Sequence, residues 1–318
     1  MTIIYLYRSL AAFGGVERIF IDKANYLAEH YGYHVYIITW EQGGHSIVYP
    51  LSPKVTHIDW GILFYRQYQY GLFKRMFMQW KMEKEFFKKL SNFVHTTQAD
   101  IVIGASCEFT TMAGMDLLQR KTHTILETHS MRTSIEKNNP PAGNLLMRWA
   151  FKRRDKQLHQ YIKHMSAFVT LTHNDAKDWS DITPQARIIP NMLHRYPAEI
   201  SPDKKTQKRI ITAGRLVEQK GYDLLLDAWS KVHQKHPEWI LDIYGEGEDK
   251  TMLLEKRKNL ALENSVLFHP PTLDIYQKYM DSDFYVMSSR FEGFGLVLAE
   301  AMSCGIPLSL IHISEPTR

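Results

Sequence analysis

Ile210-Ile-Thr-Ala-Gly-Arg-Leu-Val-Glu-Gln-Lys-Gly221 is a short apolar run that ends in a Gly-Arg turn. Tyr222–Gln234 follows with helical spacing, and Ile240-Leu-Asp-Ile-Tyr-Gly-Glu-Gly247 again runs a buried strand into a glycine turn. Strand, helix and strand in this order are a unit of parallel α/β structure. The alternation continues downstream, with strands over Val266–Phe268 and Phe284–Met287 and helices over Lys250–Leu260 and Leu296–Ser303. Upstream, Ile3–Tyr7, His34–Trp40, Val55–Ile58, Ile101–Gly104, Thr124–Glu127 and Ala167–Leu171 read as short buried strands. Amphipathic stretches such as Val16–His30 and Leu145–Lys163 lie between them. At 318 residues the chain is long enough for two domains. The polar stretch Arg195–Lys208, with Pro197 and Pro202, reads as the linker. The fold class expected is therefore α/β, as two Rossmann-like doubly wound domains with a cleft between them. Their bounds are 1–194 and 209–318, with 195–208 as linker.

Composition narrows the setting. The chain is 44% hydrophobic and 12% aromatic, so a substantial core can form. Cys107 and Cys304 cannot make a disulfide framework, and a reducing compartment is the simpler expectation. The N-terminus enters a strand at once and lacks the basic region and cleavage site of a signal peptide. No uncharged apolar stretch is long enough to span a bilayer. A cytoplasmic protein is expected. The formal charge of +5 is uneven: residues 62–95 hold seven Lys/Arg against Glu83 and Glu85, interleaved with ten aromatics including Phe73, Phe77 and Trp80. A second basic run holds Arg148, Lys152, Arg153, Arg154, Lys156 and Lys163 against Asp155. Such segments are either a solvated helix face with its apolar side in the core or a contact for an anionic membrane. No nucleic-acid partner is expected, since no helix-turn-helix, zinc or RNA-binding motif accompanies them.

Chemistry is concentrated in Glu292-Gly-Phe-Gly-Leu-Val-Leu-Ala-Glu300. The first carboxylate falls in a glycine-containing turn and the second on the helix that the turn opens. Eight helical residues rise about 12 Å, comparable to a nucleotide-sugar from hexose to ribose. One carboxylate can accept bonds from sugar hydroxyls and the other from ribose hydroxyls. Gly293 and Gly295 would bring backbone N–H groups at a helix N-terminus to the diphosphate between them. Arg215 and Lys220, beyond the carboxyl end of their strand, suit a leaving diphosphate whose charge grows as the glycosidic bond breaks. Gly245, in the third motif, would let a base or ribose approach the backbone. Each motif is weak alone; the three in this order are strong together.

Carrying these motifs, residues 209–307 resemble the donor half of the retaining GT-B glycosyltransferases of family 4, also called glycosyl transferases group 1. The shared pattern is Gly-Arg-x4-Lys-Gly, Gly-x-Gly and Glu-x7-Glu. The resemblance places Arg215 and Lys220 on the donor diphosphate and Glu292 on the transferred sugar. It gives Phe294, Gly295 and Leu296 backbone contacts to sugar and phosphate, and Glu300 the ribose. The first half resembles the family's acceptor domain more loosely. Phe13-Gly-Gly-Val-Glu-Arg18 follows the first strand like the family's glycine-rich loop, with Gly14 on the acceptor side and Gly15 approaching a phosphate or acceptor. Glu127-Thr-His129 ends another strand. His129 resembles the histidine that approaches the donor sugar, and Glu127 would orient it, bind acceptor or serve structure. Asn191, in Ile189-Pro-Asn191, fits the interdomain segment and reads as structural. His173 and Asp175 read as turn and cap residues.

Two departures stand out. His269-Pro-Pro271 replaces a glycine-containing turn, and Leu308–Arg318 does not look like the family. The second domain is accordingly expected to be incomplete, with 308–318 an anomalous tail and the chain truncated. The sole Asp-x-Asp, Asp281-Ser-Asp283, precedes a strand and reads as structural, so no metal or other cofactor is expected. The activity implied is retaining transfer of a hexosyl unit from a nucleoside diphosphate sugar, expected to be a UDP-sugar. Its acceptor would be a growing surface glycan or a lipid-linked saccharide, handled at the inner face of the plasma membrane. A GT-B epimerase and an inactive nucleotide-sugar-binding protein are the alternatives; a dinucleotide dehydrogenase is disfavoured by the missing GxGxxG.

Overall fold

The computed structural model describes residues 1–105, 107–118, 122–129, 132, 145–195 and 207–310, with only the backbone of 145–151. The chain divides into two compact units at Asn191/Met192. Most of the expected linker, 196–206, lies outside the described residues.

In the N-terminal unit the strands are β1 (Thr2–Leu6), β2 (His34–Thr39), β3 (Val55–Asp59), β4 (Ile101–Gly104), β5 (His123–Glu127), β6 (Ala167–Thr170) and β7 (Arg187–Ile188). They form a parallel sheet in the order β3-β2-β1-β4-β5-β6-β7 among the described residues. Helices α1 (Gly15–His30), α2 (Leu72–Thr97), α3 (Phe109–Asp116), α4 (Leu145–His164) and α5 (His173–Asp178) accompany it. Strand alternation divides the core. Ile4, Leu6, Ile38, Val102 and Leu126 face Phe86, Leu90 and Val94 of α2 and Met112 and Met115 of α3. Ile3, Tyr5, Val35 and Ile37 face Phe20, Ile21, Ala24 and Ala28 of α1. A sheet buried on both faces needs apolar side chains at successive positions, which is why its strands read as unbroken apolar runs.

Helix α2 is apolar toward the core only in its second half. Phe86, Leu90 and Val94, spaced by one turn, are buried. Leu72, Phe73, Met76, Phe77 and Trp80 in the first half are exposed, Phe73 at 87%. The cap of α5 is Thr172, whose Oγ1 accepts from the Asp175 N–H at 3.1 Å. His173 and Asp175 are in its first turn, so the cap lies one residue earlier than the reading of His173 and Asp175 implied.

The C-terminal unit has β8 (Arg209–Ala213), β9 (Ile240–Tyr244), β10 (Val266–His269), β11 (Phe284–Met287) and β12 (Leu308–Leu310), parallel and in the order β10-β9-β8-β11-β12. Helices α6 (Tyr222–Lys235), α7 (Lys250–Asn259), α8 (Ile275–Met280) and α9 (Leu296–Ser303) flank it. Leu225, Leu226 and Trp229 of α6 pack on Leu241, Ile243 and Val266. Tyr276 and Tyr279 of α8 and Ala301 of α9 pack on Ile211, Tyr285 and Met287. Leu308–Leu310, expected as anomalous tail, is instead the strand β12. It pairs with β11 through Tyr285↔Leu308 and Met287↔Leu310, and both leucines pack on the core. The open edge of β11 supplies hydrogen-bond partners that a tail reading ignores. Residues 311–318 lie outside the described residues. Asp283 accepts from the backbone N–H groups of Gln207 (2.9 Å) and Arg209 (3.0 Å), tying the start of β8 to that of β11.

Each sheet has a point where strand order reverses, between β1 and β4 and between β8 and β11. Connections on the two sides of such a point leave in opposite directions and open a crevice at the carboxyl edge. The expected site residues fall at these two edges.

Candidate active site

Beyond the carboxyl ends of β8 and β11 run the loops 214–221 and 288–295. They are clamped together by one backbone and two side-chain hydrogen bonds. The Arg290 N–H donates to Gln219 O at 2.8 Å, Gln219 Nε2 to Phe291 O at 3.0 Å, and Ser288 Oγ to Lys220 O at 2.9 Å. Gly221, with φ +64°, caps α6, and a Cβ there would stand 2.1 Å from Ser288 O. The Arg290 guanidinium grips the Asp223 carboxylate through two nitrogens at 2.8 and 2.7 Å. Those hydrogen bonds hold the Asp223 carboxyl below its ordinary range.

This clamp presents the central pair. Lys220 Nζ lies 2.6 Å from Glu292 Oε1, and Ser289 Oγ donates to the same oxygen at 2.6 Å. Both side chains are largely sheltered, at 16% and 17% exposure. Arg215 is exposed at the start of the same loop and makes no ion pair among the described residues. Phe294 and Gly295 precede α9, with Gly295 as its N-cap and Leu296 as its first residue. Glu300 lies on the inner side of α9 at 4% exposure. The path from Glu292 to Glu300 is only partly helical. From Leu296 to Glu300 the rise is about 6 Å, and the rest is turn, so a 12 Å helical spacing between the carboxylates does not hold.

Gly245 differs from the expectation in its reason. Its N–H donates to His269 O at 3.0 Å, and a Cβ there would meet Gly214 O at 2.0 Å. The space beside it is filled by the neighbouring loop, so glycine is required by close backbone packing rather than by an approaching base or ribose.

In the N-terminal unit, Gly14 caps α1 and Gly15 is its first residue. Glu17, in the same first turn, takes a hydrogen bond from Tyr7 Oη at 3.0 Å, and its carboxylate fills the place where a Gly14 side chain would stand. A carboxylate already meets this helix N-terminus, which corrects the expectation of a phosphate approaching Gly15. Glu127 ends β5 and is gathered with Lys23 of α1 (Nζ to Oε2, 2.8 Å) and His129 (Nε2 to Oε2, 3.3 Å). His129 is only 2% exposed, edge-on to Phe20, and its buried Nδ1 has no hydrogen-bond partner among the described residues. Burial pushes the Glu127 carboxyl up, but the His129 hydrogen bond and the Lys23 charge outweigh it, and its pKa is lowered. A lowered folded-state pKa stabilises the fold above the unfolded value and is lost as pH falls through the folded one. Glu127→Gln is therefore expected to lose stability relative to the parent above pH 4.5, with the difference vanishing as pH drops further. Chemical denaturation of both chains from pH 7 to pH 3 checks this; a difference that grows on acidification would overturn it.

Sequence reasoning missed Lys23, Ser289 and the Arg290–Asp223 brace. Lys23 stands three residues after Phe20, on the inward side of α1, and that spacing was a usable signal. Arg290 and Asp223 are too far apart in the chain for any local pattern to join them.

Residues 198–313 match the family described as "Glycosyl transferases group 1". A protein of Haemophilus influenzae named "Uncharacterized glycosyltransferase" is 28% identical over 320 residues, spanning 98% of this chain and 80% of that one. The amylovoran biosynthesis glycosyltransferase AmsD of Erwinia amylovora is 41% identical over 117 residues, 37% of this chain and 32% of its own. Among solved structures, S. aureus TarM in complex with fondaparinux, α-GlcNAc-glycerol and UDP superposes with a TM-score of 0.73 at 14% identity, over 99% of this chain and 86% of that one. The fold is that of the GT-B glycosyltransferases, and the match over 198–313 together with the relatives' names supports transferase activity.

Proposed function

We propose that this glycosyltransferase moves a hexosyl unit from a nucleoside diphosphate sugar, in the first instance a UDP-sugar, to a growing surface glycan of the capsule, exopolysaccharide or lipopolysaccharide kind. Transfer proceeds with retention at the anomeric carbon, as in family 4. The observation that carries the reading is the Lys220–Glu292 pair at the carboxyl edge of β8 and β11. A cation and a carboxylate side by side match the two ends of the bond to be broken. Lys220, with Arg215, faces the departing diphosphate as its charge grows, and Glu292 accepts from hydroxyls of the transferred ring. Backbone N–H groups of Phe294, Gly295 and Leu296 supply further donors, and Glu300 is assigned to the ribose. His129 and Glu127 are assigned to the acceptor half, with His129 near the reacting carbon.

Two names among the relatives support the finer choices: amylovoran biosynthesis for a polysaccharide acceptor, and the UDP held by TarM for the donor. With two fixed cations on the diphosphate, no obligatory divalent metal is proposed. The test is incubation with UDP-glucose, UDP-galactose and UDP-N-acetylglucosamine, with saccharide acceptors and with chelator. Release of UDP from one donor, product of the donor's anomeric configuration and an unchanged rate in chelator are expected. Strict metal dependence or inversion would sink the assignment.

The acceptor is further proposed to be met at an anionic membrane surface. No helix among the described residues is long and apolar enough to cross a membrane. The first half of α2 instead exposes Leu72, Phe73, Met76, Phe77 and Trp80, one helical stripe, beside Lys74, Lys81 and Lys84. That is the composition of an interfacial helix. Sedimentation with phosphatidylglycerol vesicles at low salt is expected, with at least tenfold weaker binding for the Phe77→Ser/Trp80→Ser double variant. Equal binding of both chains would remove the membrane from the scheme.

A further inference from the structure

The N-terminal unit carries an open pocket of about 510 Å³ on the α2, α3 and α4 side of its sheet. It lies beyond the carboxyl ends of β1, β2 and β4, since Arg8, Glu41 and Glu108 line it. Phe20 and the Lys23–Glu127–His129 cluster belong to the α1 side and are not part of it.

Its lining has three chemical components. Four guanidinium groups contribute, from Arg8, Arg75, Arg132 and Arg154. Arg8 is paired with Glu41, and Arg132 with Asp181. Arg75 and Arg154 form no ion pair among the described residues; they lie over aromatic rings, Arg75 4.2 Å from Tyr68 and Arg154 5.0 Å from Phe109. A guanidinium stacked on a ring keeps its in-plane N–H donors for an oxyanion. Aromatic faces of Tyr65, Tyr68 and Trp179 form the second component. The third is carboxylates: Glu41 is taken by Arg8, Asp155 lies 3.6 Å from His159 of the same helix, and Glu108 stands beyond β4. Exposed tyrosine faces beside guanidinium groups that carry no ion pair among the described residues suit a sugar ring bearing an oxyanion. Burial pushes the Glu108 carboxyl above its ordinary value.

We infer that this pocket binds a saccharide bearing an oxyanion, a phosphate or a carboxylate, with Arg75 and Arg154 on the anion and the ring against Tyr65 and Tyr68. As the place of the acceptor it rests on the transfer proposed above; as a site for an anionic sugar it stands on its own residues.

The experiment is isothermal titration of the full chain, without donor, using glucose 1-phosphate, glucuronate, methyl glucoside and inorganic phosphate in turn. Glucose 1-phosphate or glucuronate is expected to bind at least tenfold more tightly than methyl glucoside and than inorganic phosphate. Whichever of the two wins identifies the anion. Arg154→Gln, at an exposed helical position, and Arg75→Gln, at a half-buried one, are each expected to weaken the charged sugar about tenfold and leave methyl glucoside unmoved. Tyr65→Ala is expected to weaken charged and neutral sugars alike. No saturable binding by either charged sugar, equal affinity for methyl glucoside, or undiminished affinity in the two arginine variants would overturn the inference. A separate titration with UDP reads the C-terminal unit. Its failure would count against the proposed transfer and leave the cavity result standing.

Discussion

Lys220→Ala is expected to transfer hexose about a hundred- to a thousandfold more slowly, the range found when one preorganised donor to a developing anion is removed. The structure gives the residue two tasks. Its ammonium stands 2.6 Å from Glu292 Oε1, so it fixes the carboxylate proposed to hold the sugar. It also lies in the loop beyond β8, where the diphosphate is proposed to depart. Losing the first task leaves Glu292 oriented by Ser289 alone. Losing the second raises the barrier directly. Single-turnover measurements on Lys220→Ala, Glu292→Gln and the double variant separate them. If the pair acts as one device, the double variant is hardly slower than Lys220→Ala. A single-variant rate equal to the parent's would remove Lys220 from the chemistry altogether.

Gly221→Ala is the second large effect, and it is expected on stability as well as on activity. The residue adopts φ +64°, and a Cβ there would stand 2.1 Å from the Ser288 carbonyl oxygen, a backbone atom with no rotamer to escape into. The left-handed conformation alone costs a non-glycine residue about 1–2 kcal/mol, and the clash requires the two loops to part. A total near 3 kcal/mol would lower the melting midpoint of the C-terminal unit on the order of 10 °C. Because the same loops carry Lys220 and Glu292, UDP affinity should fall with it. A calorimetric scan with and without UDP is the check, and a midpoint within a degree or two of the parent's would show that the loops separate without cost.

The parallel α/β architecture was legible because its strands are short apolar runs cut off by glycine turns, as in Ile210–Gly214 and Ile240–Gly245. The pairing of Lys220 with Glu292 was only half legible. Each residue stood out at its strand end, but their contact depends on β8 lying beside β11, which no local pattern states. The same limit hid Arg290 and Asp223. For α2 the residue types were compatible with core and surface alike; its two halves differ because only the second is covered by Trp40 and Trp60. Composition misled at Leu308–Leu310, where three residues look like nothing until a sheet edge is offered to them. At Gly245 and Gly14 the space a side chain would take is filled by the protein itself, by the Gly214 carbonyl and the Glu17 carboxylate.

The strand orders carry a consequence for how the chain is made. In each unit the strand synthesised first ends at an interior position: β1 between β2 and β4, and β8 between β9 and β11. One flank of β1 can be occupied as soon as His34–Thr39 emerges, through Thr2↔His34. The other waits for Ile101 to reach Ile3, and that of β8 waits for Phe284 to reach Ile210. At about 5–20 residues per second, such an interval lasts on the order of ten seconds. Throughout it an apolar strand shows an unpaired edge, the arrangement that recruits strands from neighbouring chains. Newly made protein is thus most exposed to aggregation between β3 and β4 and again between β10 and β11, and slower cultures at lower temperature or added chaperone should raise the soluble yield.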